Sequence, residues 1–330
     1  MFDNLYKVVL DTTSSSATFS PFLALIFFLL SLSPFLTSIA AYLTYPQFAV
    51  DVWAAALEAF GIFTLINIVL FLVIGSINGQ FFYLLAAKIL PKINKISLAK
   101  DLKLPENKSE FGIFVIFFML GNTVVAFGLF NALSPKLEKY SLVFKIVLMF
   151  IPIIIVLTIT LLGLTSFLLL IVAWSSHIME MCGAAGEESA KECLSLYTHF
   201  NENMGPLLLA FFSSSQFAWI SCLYNAIVIF SPTHNLNIAA TIQLTVGYTA
   251  WTVMFLIFLK ILTFQLDRQY RALQGLARRL PPGPLKSDLK RTGPVSACGM
   301  FNIERSTLTS MVSTALTYLI VLVQFKLSLK

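Results

Sequence analysis

The sequence predicts an all-α polytopic membrane protein of seven transmembrane helices, with a cytosolic N-terminus and an extracellular C-terminus. Composition points there first: of 330 residues, 58% are hydrophobic, 31 are Phe and only 12% are charged. One soluble core cannot bury that much apolar surface. Apolar runs of about twenty residues or more recur, the length that a hydrocarbon layer about 30 Å thick demands of a helix. Lys and Arg gather between those runs, so the net charge of +6 fits loops at a membrane surface and not a nucleic-acid face.

The expected spans cover residues 21–45, 53–76, 111–132, 143–174, 206–230, 238–264 and 306–327. The first contains Pro34, whose kink a helical bundle tolerates. The second apolar run continues to Leu90, with Gly75-Ser76-Ile77-Asn78-Gly79 marking the membrane boundary and Phe81–Leu90 an amphipathic extension. The fourth and fifth overrun through Ser175–Cys182 and Glu187–Met204, punctuated by turns at Gly183-Ala184-Ala185-Gly186 and Ser231-Pro232. The sixth continues as Asp267–Arg279, a charged stretch expected to be a solvated face. No cleavable signal is expected, because residues 1–20 hold Lys7 against Asp3 and Asp11 and the apolar run after Ser20 is too long.

Orientation follows from the basic residues. With the N-terminus inside, the inner segments hold sixteen Lys and Arg and the outer ones five, with Lys260 near a helix end. The reverse arrangement would invert the positive-inside ratio. Cys182, Cys193 and Cys298 are then expected in cytosolic loops and Cys222 in a span, all as reduced thiols.

Seven spans raise the possibility of a G-protein-coupled receptor, but those place the N-terminus outside. Asp267-Arg268-Gln269-Tyr270 follows span six rather than span three, and span seven holds no Asn-Pro-x-x-Tyr. No zinc motif, Walker loop, Gly-x-Ser-x-Gly or intramembrane carboxylate pair is present, so no enzyme, cofactor or metal site is expected.

The last span carries the most specific signal: Thr317-Tyr318, five apolar residues from Leu319 to Val323, then Gln324-Phe325. An unpartnered amide in hydrocarbon costs roughly 2–7 kcal/mol, so Gln324 needs a neighbouring helix or a water-filled path. This pattern near the C-terminus resembles the signature of the arthropod gustatory receptor family, related to insect odorant receptors. Ala297-Cys298-Gly299-Met300-Phe301, followed by Leu308, is similar to that family's Gly-x-Phe lead-in to its last helix. The specific match covers about thirty residues; the rest agrees in architecture.

The resemblance implies a multi-pass receptor of the plasma membrane, acting as a ligand-gated, non-selective cation channel opened by a small-molecule tastant. It implies a homo- or hetero-tetramer whose last helices line one pore. Residues 1–265 would then form the ligand-binding bundle, 266–305 a cytosolic anchor, and 306–330 the pore helix and outer tail. Thr317 and Gln324 lie seven apart on one helix face with Ile320 and Val321 between them; Tyr318 and Phe325 lie one step around. In the family the Gln-Phe pair narrows the pore, which makes these six residues the pore and gate candidates. Read without the family, Gln324 equally serves as a hydrogen-bonding partner for a neighbouring helix.

The family's ligand pocket lies in the outer half of spans two to six. Candidates there are Glu58, the only acidic residue within a span, and Asn122, Trp219, Tyr224, Asn225, Gln243, Tyr248 and Trp251. Aromatic groups with a few polar partners suit an organic ligand or sugar, although Tyr and Trp also form interface belts. Two other classes stay open: a secondary transporter, which requires internal repeats and midplane ionisable groups that the sequence does not display, and a membrane receptor without a pore.

Overall fold

The computed structural model describes residues 43–62, 64–69, 108–183, 186–229 and 236–328. The expected first span, the second beyond residue 69 and the Lys-rich segment 88–107 lie outside the described residues. What is described is mostly helix. A helical stretch, α1, occupies 46–62 and continues over 64–69. It is followed by α2 (Lys108–Leu133), α3 (Ile151–Gly183), α4 (Glu187–Ile229), α5 (Ile238–Arg279), α6 (Pro284–Arg291) and α7 (Arg305–Ser328). A small antiparallel pair, β1 (Ser296–Ala297) with β2 (Phe301–Asn302), separates α6 from α7.

Among the described residues, four helical segments are long and apolar enough to cross a membrane by length and composition: Ile116–Leu137, Met204–Ile229, Ile238–Arg279 and Arg305–Phe325. Their starts have local causes. Asn237 caps α5, its side-chain oxygen accepting the Ala240 backbone N–H at 2.7 Å. Between α2 and α3, Ser141 caps a one-turn helix, Leu142–Lys145, that widens into a π turn over Ile146–Phe150. Pro152 explains the widening, since it has no N–H to close an α-turn onto Leu148.

The core is built around α5, which packs most extensively on α2 and then on α4 and α3. Its span is 67% buried within the chain. A run of rings joins four helices: Phe167 to Phe211 at 4.7 Å between centroids, Phe211 to Phe258 at 4.8 Å, and Phe258 to Phe114 at 5.5 Å. Close approach of α2 and α5 depends on glycine. A Cβ on Gly247 would lie 3.0 Å from the Val125 backbone nitrogen, and one on Gly121 would overlap the Trp251 indole. Small residues let helix backbones meet where lipid supplies no hydrophobic drive.

Two expectations are corrected. Cys182 and Cys193 are not in loops: Cys182 ends α3 and Cys193 lies in the second turn of α4, both buried. Cys298 does occupy a turn, and is exposed. Nor is Asp267–Arg279 a solvated face, because Asp267, Gln269, Leu273, Leu276 and Ala277 are buried. The reason is packing: α6 folds back so that Gln274 Nε2 donates to the Leu289 and Thr292 carbonyls, at 3.3 and 3.2 Å.

Candidate functional site

The bundle has two polar ends and a polar interior between them. At one end lie Glu58, Asn131, Lys136 and Gln243; at the other, Asp267, the hairpin and Arg305, the first residue of α7.

In the interior, Trp251 Nε1 donates to Asn122 Oδ1 at 3.0 Å, and Asn122 Nδ2 donates to the Leu157 carbonyl at 3.3 Å. This links α5, α2 and α3 around a wholly buried indole. Tyr248 meets the Trp251 ring edge-on at 5.5 Å, and its hydroxyl faces Asn225 of α4. Asn225 Oδ1 accepts from Asn67 Nδ2 at 3.0 Å, while Ser221 Oγ donates to Asn67 Oδ1 at 2.8 Å. Tyr224 faces Thr64 of α1. Four of the eight ligand candidates (Asn122, Trp251, Tyr248 and Asn225) therefore follow one line of contacts through the bundle, and Tyr224 adjoins Asn225 in α4. Trp219 is buried nearby in α4, and its Nε1, like Asn225 Nδ2, has no hydrogen-bond partner among the described residues. A buried donor without an acceptor costs about 1–3 kcal/mol, so these two N–H groups are poised for an oxygen atom.

Two candidates stand apart from that line. Gln243 Oε1 accepts from Asn131 Nδ2 at 2.8 Å, tying α5 to the end of α2. Glu58 is exposed and pairs with Lys136 at 2.5 Å. Beside it, Asp51 binds Lys139 at 2.5 Å and accepts the Tyr140 hydroxyl at 2.6 Å. The Lys139 ammonium, with the Tyr140 hydroxyl next, holds the Asp51 carboxyl below its usual range. Here Glu58 belongs to a clasp between α1 and the loop after α2. The sequence reading missed Asn67, Ser221 and Asn131; an amide inside an apolar run was the available signal for the two Asn residues.

The other end holds the base of α7. Cys298 and Gly299, with φ of 54° and 71°, are the central residues of a turn that the Met300 N–H closes on the Ala297 carbonyl at 3.0 Å, and with Met300 they make the three-residue link of the β1–β2 hairpin. Positive φ at both central positions is the geometry that twisted hairpins favour, and it accounts for glycine at 299. The hairpin lies on α4, where Asn201 Oδ1 accepts the Ser296 N–H at 2.9 Å. Gly205 allows the approach, since a Cβ there would meet the Cys298 nitrogen at 3.1 Å. Asp267 Oδ2 accepts from Arg305 Nε at 2.8 Å and from Arg271 Nε at 2.9 Å, and the Arg305 guanidinium stacks over Phe264 at 4.6 Å. The sequence reading did not single out Asp267 or Arg305 as a pair.

From that base α7 runs along α4, burying Met311, Ala315 and Leu319, the last against Tyr224 and Val228. Only 17% of its span is buried within the chain. All six pore candidates, Thr317, Tyr318, Ile320, Val321, Gln324 and Phe325, are exposed. A groove of about 420 Å³ opens between α4, β2 and α7, lined by Phe212, Gln216, Phe301, Ser306, Ser310 and Thr314 among others. It lies near the Arg305 end, not among the ligand candidates. Among the described residues no group of three or more His, Cys, Asp or Glu is arranged to hold a metal.

Long apolar helices around a buried polar interior define a multi-pass helical membrane protein, as expected for the plasma membrane. Residues 190–329, from α4 through α7, match the model of the 7tm chemosensory receptor family, which is of the insect gustatory and odorant receptor type. No curated protein matches the chain. That family is one of receptors and not of enzymes.

Proposed function

We propose that this chemoreceptor is a taste receptor and a ligand-gated, non-selective cation channel, opened by a small organic molecule bound in the bundle and conducting along α7. The observation that carries this reading is the exposed face of α7. A membrane-length helix that leaves the Gln324 amide uncovered, beside an exposed Thr317, has polar groups with nowhere to go in lipid. Copies of the chain around an axis would turn that face onto a water-filled path, giving rings of hydroxyl, aliphatic and amide groups. An aliphatic ring at Ile320 gates by dewetting, and amides replace part of an ion's hydration. The Arg305 end, rich in Lys and Arg, is then cytosolic and the Glu58 end extracellular.

The interior line from Asn122 to Asn225 supports ligand binding, because Asn225 Nδ2 and the nearby Trp219 Nε1 are donors without a partner among the described residues, within an aromatic setting. Recordings from oocytes screened with sugars, amino acids and bitter organics test the whole reading. The expected result is an inward cation current independent of G proteins, with altered conductance or block in Gln324→Ala at unchanged surface level. Surface protein that binds a ligand without current would instead identify a receptor without a pore. Normal permeation in a well-expressed Gln324→Ala channel would remove that residue from the pore.

A further inference from the structure

We propose that Cys182 and Cys193 are a reversible oxidation site, at which a peroxide converts two thiols into a disulfide across the α3–α4 hairpin. The geometry is specific. Cys182 lies in the last turn of α3 and Cys193 in the second turn of α4, and their sulfurs are 3.3 Å apart. A disulfide requires about 2.05 Å, a closure of roughly 1.2 Å that side-chain rotation within a short hairpin can supply. The other cysteines have no such neighbour in reach: Cys222 is sealed within α4 and Cys298 lies in the exposed hairpin turn.

The surroundings assign a role to each sulfur. Arg279 Nη2 donates to the Cys182 carbonyl at 2.5 Å, which fixes a positive charge beside that residue. The Cys193 S–H first, and then this guanidinium, draw the Cys182 thiol below its usual value. Cys193 is pushed the other way and keeps its proton, chiefly through Cys182 and burial. Thiolate character decides which sulfur meets an oxidant. The Cys182 thiolate attacks one peroxide oxygen and breaks the O–O bond, giving Cys182 sulfenic acid and, with one proton, water. Cys193 then attacks that sulfur; its proton leaves with the displaced hydroxide as a second water, and the S–S bond forms. Two thiols are oxidised and one peroxide is reduced. Both sulfurs are buried, and Gly183, the next residue after Cys182, is exposed, so the pair sits at the solvent-facing end of α3, where a local opening admits a small neutral peroxide.

The bond would act on the segment that carries α7. One turn beyond Cys193 on the same face, the Tyr197 hydroxyl donates to the Gly293 carbonyl at 3.1 Å. A further turn on, Asn201 holds Ser296. Fastening α4 to α3 at Cys193 stiffens the helix on which the hairpin and the base of α7 rest. In a reducing cytosol the thioredoxin and glutathione systems would reopen the bond.

Full-length purified protein, treated with hydrogen peroxide, alkylated and cut at Lys191 without reduction, tests the site whether or not the chain conducts. Lys191 lies between the two cysteines, so their peptides separate unless bridged. The expected product is a joined Cys182–Cys193 peptide, two hydrogens lighter than the pair, which grows with peroxide and disappears with dithiothreitol. Cys193→Ser should stop at Cys182 sulfenic acid, trapped by dimedone; should that variant misfold, the wild-type measurement stands alone. The proposal is overturned if both thiols stay alkylatable while Cys298 oxidises. It is equally overturned if the bridge is complete in unstressed cells alkylated at lysis, which would make it structural.

Discussion

Asn122 and Trp251 hold different helices together through one hydrogen bond at a site sealed from solvent. Trp251→Phe keeps most of the ring but removes the N–H, leaving Asn122 Oδ1 buried without its donor. The expected cost is about 1–3 kcal/mol. If the interior line binds ligand, the change should also raise the half-maximal ligand concentration at matched surface level. An unchanged dose response alongside lower expression would give this pair a packing role only. Asn225 provides the complementary case, since its Nδ2 has no partner among the described residues. Asn225→Leu removes that donor together with the Oδ1 that accepts from Asn67, so at matched surface level it should abolish the response to any ligand that accepts a hydrogen bond there. A full response in that variant would move the ligand away from Asn225.

Among the elements, α7 is placed by its base more than by its length. Arg305 joins it to Asp267 of α5, and the stacked Phe264 ring restrains the guanidinium. Arg305 is 45% exposed, so its direct contribution to stability is small, about 1 kcal/mol or less. Its position matters more: α5 carries Tyr248, Trp251 and Asp267 on one rigid helix, and α7 carries the pore candidates. Arg305→Gln should raise basal current or shift ligand sensitivity at normal surface level, and Arg305→Lys should restore part of the effect. Identical gating in all three proteins would separate this contact from pore control. The element pattern itself was legible in the sequence where an apolar run meets a turn, as at Gly183, where α3 ends. The Asp267–Arg305 contact was not, because it exists only once the β1–β2 hairpin turns the chain back on α4. The meeting of α2 with α5 left a faint trace, in that Gly121 and Gly128 lie seven apart in one apolar run and so share a face. The interior candidates were legible as types, since amides and rings inside spans need partners. Their pairing was not, because it depends on how far each helix slides along its neighbour.

At the scale of the whole molecule, burial is lopsided. The span of α5 is two-thirds enclosed and that of α7 about one-sixth, although both are membrane-length. Leu316, Tyr318, Ile320, Val321, Leu322 and Phe325 are all exposed on α7, which lipid could cover at no cost. Thr317 and Gln324 on the same helix are not covered so cheaply, and Ser306, Ser310 and Ser313 continue their face toward Arg305 at alternating spacings of four and three. Thr317 satisfies its hydroxyl on the Ser313 carbonyl at 3.0 Å. Gln324 has an amide with two donors and an acceptor, which no single backbone contact can satisfy. A face that is polar apart from Ile320 and Val321 calls for water or a protein partner at its hydroxyls and at Gln324. In the proposed channel, four copies meeting at this face would supply both, with the hydroxyls nearest the cytosolic end in the proposed orientation. Native mass measurement of purified protein should therefore give a tetramer. Gln324→Leu, which makes the face apolar at its narrowest candidate ring, should leave that assembly intact while reducing conduction. A stable monomer would leave the single-pore arrangement without a pore, and full conduction in Gln324→Leu would place the constriction elsewhere on α7.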